Sequence, residues 1–219
     1  MTTNGDDTDL TVSDVTATMD RTRDVLANWP YPPDGGWTSD DLDLLPQDGP
    51  NGELDLFKRV ELIDGALILM SPQRNFHEYV ISNLRGMLKA QAPAHLRPST
   101  QMTIRIDRWQ RPDPDVLVVD ADASRDMART AFQAKEVHLV VEVVSPESEH
   151  RDIHVKPKIY AGAGIRHFWI IEEERGQPVV HVYELDEATS FYSGIGIFRD
   201  KLQLQLPFPI TIDIADLLT

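Results

Sequence analysis

The chain has 219 residues and no cysteine, and its 36 Asp and Glu against 21 Lys and Arg set a formal net charge of -15. That length suits one ordinary domain with an appendage, and 41% hydrophobic content is enough for a packed core. The lack of cysteine excludes disulfide scaffolds, thiolate zinc sites and thiol nucleophiles and fits a reducing cytoplasm, while a pI near 4.7 argues against a non-specific nucleic-acid coat or an anionic-membrane binder.

The acid is unevenly spread. Residues 1–52 hold 11 Asp against Arg21 and Arg23, a net of -9, and residues 53–219 hold 25 acids against 19 bases, a net of -6. The start of the chain, Met1 to Asp7, has no basic or apolar run and does not read as a secretory signal. No apolar stretch approaches the roughly 20 residues of a membrane span, so no membrane partner is expected. Residues 1–37 read as an acidic, loop-rich extension and residues 38–219 as the folded domain. Within the extension, Ser13 or Asp14 is positioned to cap a helix with Val15, Met19 and Leu26 on one face. Its Asp excess suits either a soluble, flexible leader or a DNA-mimicking or regulatory arm.

In the body, Arg59–Ile63 and Ala66–Met70 flank Asp64-Gly65, a two-residue hairpin signal because a type I′ turn needs positive φ at both positions. Ser71-Pro72 reads as the cap and first turn of a helix whose Phe76, Val80, Leu84 and Met87 or Leu88 recur at helical spacing, with Ile81 beside them. Pro93 ends it. Three strands are expected at Met102–Ile106, Asp115–Asp120 and Val137–Val144, the last two so apolar that both faces must be covered. A second helix is expected from about Ser148 to Ala163, kinked or delayed by Pro157 and stopped by Gly164. His167–Ile171 follows as a buried strand. Val179–Leu185, Phe191–Phe198, Lys201–Leu206 and Ile210–Ile214 read as a C-terminal β-meander extending the sheet. The order helix, strand, strand, strand, helix, strand describes a mixed α/β layer design around one core.

Two acids interrupt the apolar strands. Asp115 opens the run Pro114-Asp-Val-Leu-Val-Val119, and Glu142 sits inside Val140-Val-Glu-Val-Val144. A carboxylate within a covered strand is costly unless it is paired or binds a cation. Carboxylates on neighbouring strands suit a hard divalent ion such as Mg²⁺, which prefers oxygen ligands. The alternative for Glu142 is a strand-end acid paired with an Arg. Lys156 stands one helical turn after Asp152 and one before Tyr160, which allows the three to share a helix face; a surface pair of Asp152 and Lys156 is the alternative. His150 and His154, four apart, carry a weaker zinc signal without the Glu of the H-E-x-x-H pattern. Arg105, Arg108 and Arg111, with Arg97, form the most basic cluster, readable as phosphate contacts or as exposed loop arginines.

The motifs Glu61-Leu-Ile-Asp-Gly65, Met70-Ser-Pro72 with His77, Pro114-Asp115-Val, Glu142-Val-Val-Ser-Pro146, Asp152-x-x-x-Lys156-x-x-x-Tyr160 and Ala163-Gly-Ile165-x-x-Phe-Trp-Ile170 occur in this order. In them the chain, over roughly residues 38 to 213, resembles the Uma family of "putative restriction endonucleases", formerly a domain of unknown function, in the PD-(D/E)XK nuclease superfamily. The resemblance implies a restriction-endonuclease-like mixed sheet flanked by helices, with an α-β-β-β-α-β core. It implies a metal-dependent endonuclease that hydrolyses DNA phosphodiester bonds with Mg²⁺ or Mn²⁺. Asp115 and Glu142 are then the metal ligands, with the backbone carbonyl of Val143 as a third. Lys156 stands in for the lysine of the E-x-K motif, whose place is taken by Val144, and orients the attacking water or stabilises phosphate charge. Glu61, His77 and Asp152 are additional site candidates. DNA is the expected transient partner, and cutting both strands suggests a homodimer. The alternative is a catalytically inactive nuclease fold acting as a binding or regulatory module.

Overall fold

The structure, a computed structural model, describes residues 29–219 together with Leu26. Most of the acidic extension, including the helix expected around Val15 and Met19, lies outside the described residues. The described chain begins against the body. Trp37 is buried with Leu62 and its N–H donates to the Gly65 carbonyl. Helix α1 (Ser39–Leu42) starts at a reciprocal cap: the Thr38 hydroxyl accepts from the Asp41 N–H, and the Asp41 carboxylate accepts from the Thr38 N–H.

Strands β1 (Val60–Ile63) and β2 (Ala66–Leu69) form the expected hairpin, with φ of 50° at Asp64 and 74° at Gly65. All four residues of β1 are buried. Helix α2 (Asn75–Gln91) buries Val80, Ile81, Leu84 and Leu88 as the spacing predicts. Its start is a correction: Arg74, not Ser71, is the N-cap, and residues 70–74 cross from β2 to the helix without helical structure. The 70–74 segment is instead used to line the cavity beside Asp115, with the Ser71 carbonyl accepting from Gln73 Nε2 at 3.3 Å.

Next come β3 (Leu96–Thr100), β4 (Thr103–Arg105), β5 (Val116–Asp120), β6 (Ala131–Gln133) and β7 (Val137–Val143). After a helical segment over residues 151–162 come β8 (His167–Glu174), β9 (Gln177–Asp186), β10 (Phe191–Phe198), β11 (Lys201–Leu204) and β12 (Ile210–Asp213). The main sheet has six strands in the order β10-β9-β8-β7-β5-β3. The sheet core therefore does run α-β-β-β-α-β, but its first strand is β3 rather than Met102–Ile106. The latter contributes β4, which pairs with β6 in a separate two-stranded sheet. Pro98 masks β3 in the sequence. A proline is tolerated there because β3 is an edge strand, whose outward N–H positions need no partner. The meander is also split: β9 and β10 extend the sheet, whereas β11 and β12 form their own hairpin.

Both sheet faces are covered, as the apolar runs of β5 and β7 require. Val116, Val118, Leu139 and Val141 pack towards α2 and the β11–β12 hairpin. Leu117, Val119 and Val140 pack with Tyr160, Ile165 and Phe168 on the other side. Full burial of each such side chain contributes roughly 1.5–3 kcal/mol. The single parallel pair of the main sheet, β7 with β8, needs a crossover, and the helical segment before β8 supplies it. That segment is not uniform. Arg151–Val155 is a π-turn in which the Lys156 N–H reaches back five residues to the Arg151 carbonyl, and α3 proper is Lys156–Gly162. Pro157 explains the irregularity. It has no N–H to donate to the preceding turn and its ring crowds the carbonyl four residues back, so the turn before it opens. Gly164, at φ 76°, stops the helix.

Among the described residues no helix is long and apolar enough to cross a membrane.

Candidate active site

The two strand acids meet where the sheet is most buried. The β5–β7 register pairs Val116 with Val141, and one step further sets Asp115 across from Glu142. Asp115 Oδ2 accepts the Val143 N–H at 2.8 Å and lies 3.1 Å from Nε2 of His77, which α2 supplies. Glu142 is held from α3: Tyr160 donates its hydroxyl to Oε1 at 2.6 Å, and Lys156 donates to Oε2 at 3.1 Å.

The hairpin brings a further carboxylate. Leu62 and Arg111 exchange backbone hydrogen bonds, which docks β1 on the 111–115 segment and carries Glu61 into the cluster. Glu61 is wholly buried. Its Oε2 accepts the Asp113 N–H at 3.3 Å and lies 3.1 Å from Lys156 Nζ. Asp152 Oδ1 is 3.0 Å from the same ammonium, as an ion pair rather than an aligned hydrogen bond. Lys156 therefore sits among three carboxylates while only 1% exposed.

The electrostatics follow from that burial. Glu142 is raised well above 4.5, first by burial and then by Asp152, Asp115 and Glu61, with Lys156 opposing. Asp152 and Asp113 are raised for the same leading reason, opposed by Lys156 and Arg59 respectively. Burial alone would lower Lys156, but Glu142, Glu61, Asp152 and Asp115 outweigh it and raise it well above 10.5. Tyr160 is raised by burial and by Glu142, so it stays a donor.

His77, Asp115, Glu142, Arg151, Asp152 and Lys156 all line one cavity of about 110 Å³, whose rim is formed by the 68–73 segment. Counted at formal charge, Glu61, Asp113, Asp115, Glu142 and Asp152 exceed Arg59, Arg151 and Lys156 by two, and a cation would offset the repulsion that, after burial, raises Glu142. Hard oxygen donors with an excess of two charges suit one divalent cation, and Mg²⁺ commonly takes one or two carboxylates and keeps its waters. Asp115 and Glu142 fit that description. Among the described residues, no group of three or more His, Asp or Glu is arranged to hold a metal ion.

The site thus gathers Asp115, Glu142, Lys156, Glu61, His77 and Asp152, all six expected side chains. Val143 presents its N–H to Asp115. Two contributors escaped the sequence reading. Asp113 pairs with Arg59 through hydrogen bonds of 3.2 and 3.0 Å, and its signal was the doubled Pro-Asp of residues 112–115. Arg151 was hidden beside Asp152 because the π-turn changes which residues share a face. His150 and His154 are both exposed, with rings 5.4 Å apart. Of the basic cluster, Arg105 pairs with Asp40 and Asp43, and Arg111 is buried on Asp43 and the Ser39 carbonyl. Arg97 and Arg108 are exposed.

A family model named Uma2, described as "Putative restriction endonuclease", matches residues 53–215. The fold is similar to the crystal structure of "a putative nuclease belonging to DUF820" from Anabaena variabilis, with a TM-score of 0.60 at 15% identity over 83% of this chain and 97% of that one. Comparison with curated proteins returns no match.

Proposed function

Because the chain belongs to the Uma2 family of restriction-endonuclease-like proteins, we propose that it is a metal-dependent endonuclease hydrolysing DNA phosphodiester bonds at the Asp115–Glu142 centre. The observation that carries this reading is the cavity in which Asp115, Glu142 and Lys156 converge from the residue before β5, from β7 and from α3. Asp115 and Glu142 are the residues that would hold Mg²⁺ or Mn²⁺, with the Val143 carbonyl as a third donor. Such an ion, when bound, makes its water a nucleophile and polarises the phosphodiester. The chain's own part is to hold the donors still. The Val143 N–H and His77 fix Asp115; Tyr160 and Lys156 fix Glu142. Lys156 also ties Glu61 and Asp152 to the centre, so one ammonium assists by setting the spacing of three acids. Hydrolysis consumes one water and breaks one P–O bond. DNA is then a transient substrate, the cytoplasm the place of reaction, and two chains the means of cutting both strands.

The test is a panel of plasmid, single-stranded and branched DNA with Mg²⁺ or Mn²⁺, comparing the wild type with Asp115→Asn and Glu142→Gln. Cleavage by the wild type and its loss in both variants is expected. Equal cleavage by all three would move the chemistry elsewhere.

A second reading is an inactive nuclease fold serving as a binding or regulatory module. The placement of Lys156 among the acids favours it, since an ammonium there already supplies positive charge. Calorimetric titration with Mn²⁺ separates the readings: heat that depends on Asp115 and Glu142 supports the enzyme, and none supports the module.

A further inference from the structure

A phosphodiesterase needs a cation that meets the substrate phosphate, and the family resemblance assigns that task to Lys156. Its geometry commits it elsewhere. An ammonium has three N–H groups, and Glu61, Glu142 and Asp152 each place an oxygen 3.0 or 3.1 Å from Nζ. Arg59 gives two hydrogen bonds to Asp113, and Arg105 and Arg111 are taken up by Asp40 and Asp43.

Arg151 differs from all of these. It lines the same cavity as Asp115 and Glu142, and its side chain is 28% exposed. Nη1 donates to the Glu147 carbonyl at 3.2 Å, and Nε lies 3.4 Å from Glu61 Oε1 without forming a hydrogen bond. Among the described residues, Nη2 donates to no group of the chain. The π-turn explains its position. Because the Lys156 N–H closes on the carbonyl five residues back, Arg151 stands one turn before Lys156 on the same side. The two cations accordingly touch opposite oxygens of the one Glu61 carboxylate. A regular α-helix would turn Arg151 away from that face.

We propose that Arg151 is the phosphate-binding residue of the site, its guanidinium reaching a non-bridging oxygen of the DNA phosphodiester while Lys156 holds the acids beneath it. This rests on the endonuclease reading. Contact to a phosphate oxygen carries no base information, so it sets affinity and salt dependence rather than sequence preference. The planar fork of arginine also suits two oxygens of one phosphate.

The test compares the wild type, Arg151→Gln and Arg151→Lys by fluorescence anisotropy on a short labelled duplex, with Ca²⁺ as the divalent ion, between about 50 and 200 mM salt. Arg151→Gln is expected to weaken binding by about tenfold and to lower the slope of log K against log salt by about 1. Arg151→Lys keeps the slope and recovers part of the affinity. Arg151→Gln still binds Mn²⁺ and still unfolds cooperatively in urea. Unchanged affinity and slope in Arg151→Gln overturn the proposal. So does a loss that Arg151→Lys does not relieve and that comes with lost Mn²⁺ binding, because it assigns Arg151 a structural part. A wild type that neither binds nor cuts DNA is a separate result, which removes the endonuclease reading and the proposal with it.

Discussion

Replacing Lys156 with methionine keeps the length and the packing of the stem and removes one buried charge. In the wild type that charge faces Glu61, Glu142 and Asp152 at 3.0 or 3.1 Å, and all four side chains are at most 2% exposed. Breaking a buried ion pair from one side costs about 3–5 kcal/mol, because the remaining charge is left unpaired. The three contacts share one ammonium and do not add, so the same range applies to the whole substitution. That is a large share of the roughly 5–15 kcal/mol by which domains are stable. With a urea m-value of about 2 kcal/mol/M, the unfolding midpoint drops by about 1.5–2.5 M. The measurement belongs near neutral pH. The lysine is raised in the fold, so its stabilisation is whole below 10.5 and is lost only as pH climbs through the folded value. Mn²⁺ supplies a substitute charge, and at a hundred times its dissociation constant it restores about 2.7 kcal/mol. A Lys156→Met midpoint within about 0.3 M of the wild type, with no response to Mn²⁺, would refute the role given to this lysine.

Glu142 is raised by burial, then by its acidic neighbours, so the folded chain holds its proton more tightly than the unfolded one. Metal-free stability therefore falls as pH rises from 4.5 towards the folded value, and Glu142→Gln flattens that fall. Asp113 and Asp152 keep part of it; parallel urea-midpoint profiles for variant and wild type would count against the assignment. Tyr160→Phe leaves Glu142 Oε1 without its donor and is expected to cost about 1–3 kcal/mol in urea unfolding, with weaker Mn²⁺ binding by calorimetry. Gly65→Ala puts a side chain at φ 74°, with its Cβ 3.3 Å from the Trp109 ring, and is expected to lose about 1–3 kcal/mol in thermal unfolding.

What could be read in advance follows the strength of local signals. Asp64-Gly65 specifies its turn by backbone conformation alone, and the valine runs around Leu117 and Val140 specify covered strands by lack of polar residues. The acids Asp115 and Glu142 stood out because they break those runs. What stayed hidden depends on distant partners. Pro98 argues against a strand until the strand is known to be at an edge. Lys158 and Lys156 look alike in sequence, yet Lys158 is exposed and Lys156 is enclosed, a difference set by the hairpin that carries Glu61 across the site. The π-turn, and with it the place of Arg151, arises from Pro157 acting on the turn before it.

The acids and the lysine come from β1, β5, β7 and the helical crossover, spread from Glu61 to Lys156. A chain emerging from the ribosome as far as residue 140 holds Glu61, Asp113 and Asp115 but neither Glu142 nor the ammonium that gathers them. Even through residue 160 it lacks β8, the neighbour of β7 in the finished sheet. The centre is consequently assembled as a whole once β8 is present, so chains cut short of that strand carry the acids without the arrangement.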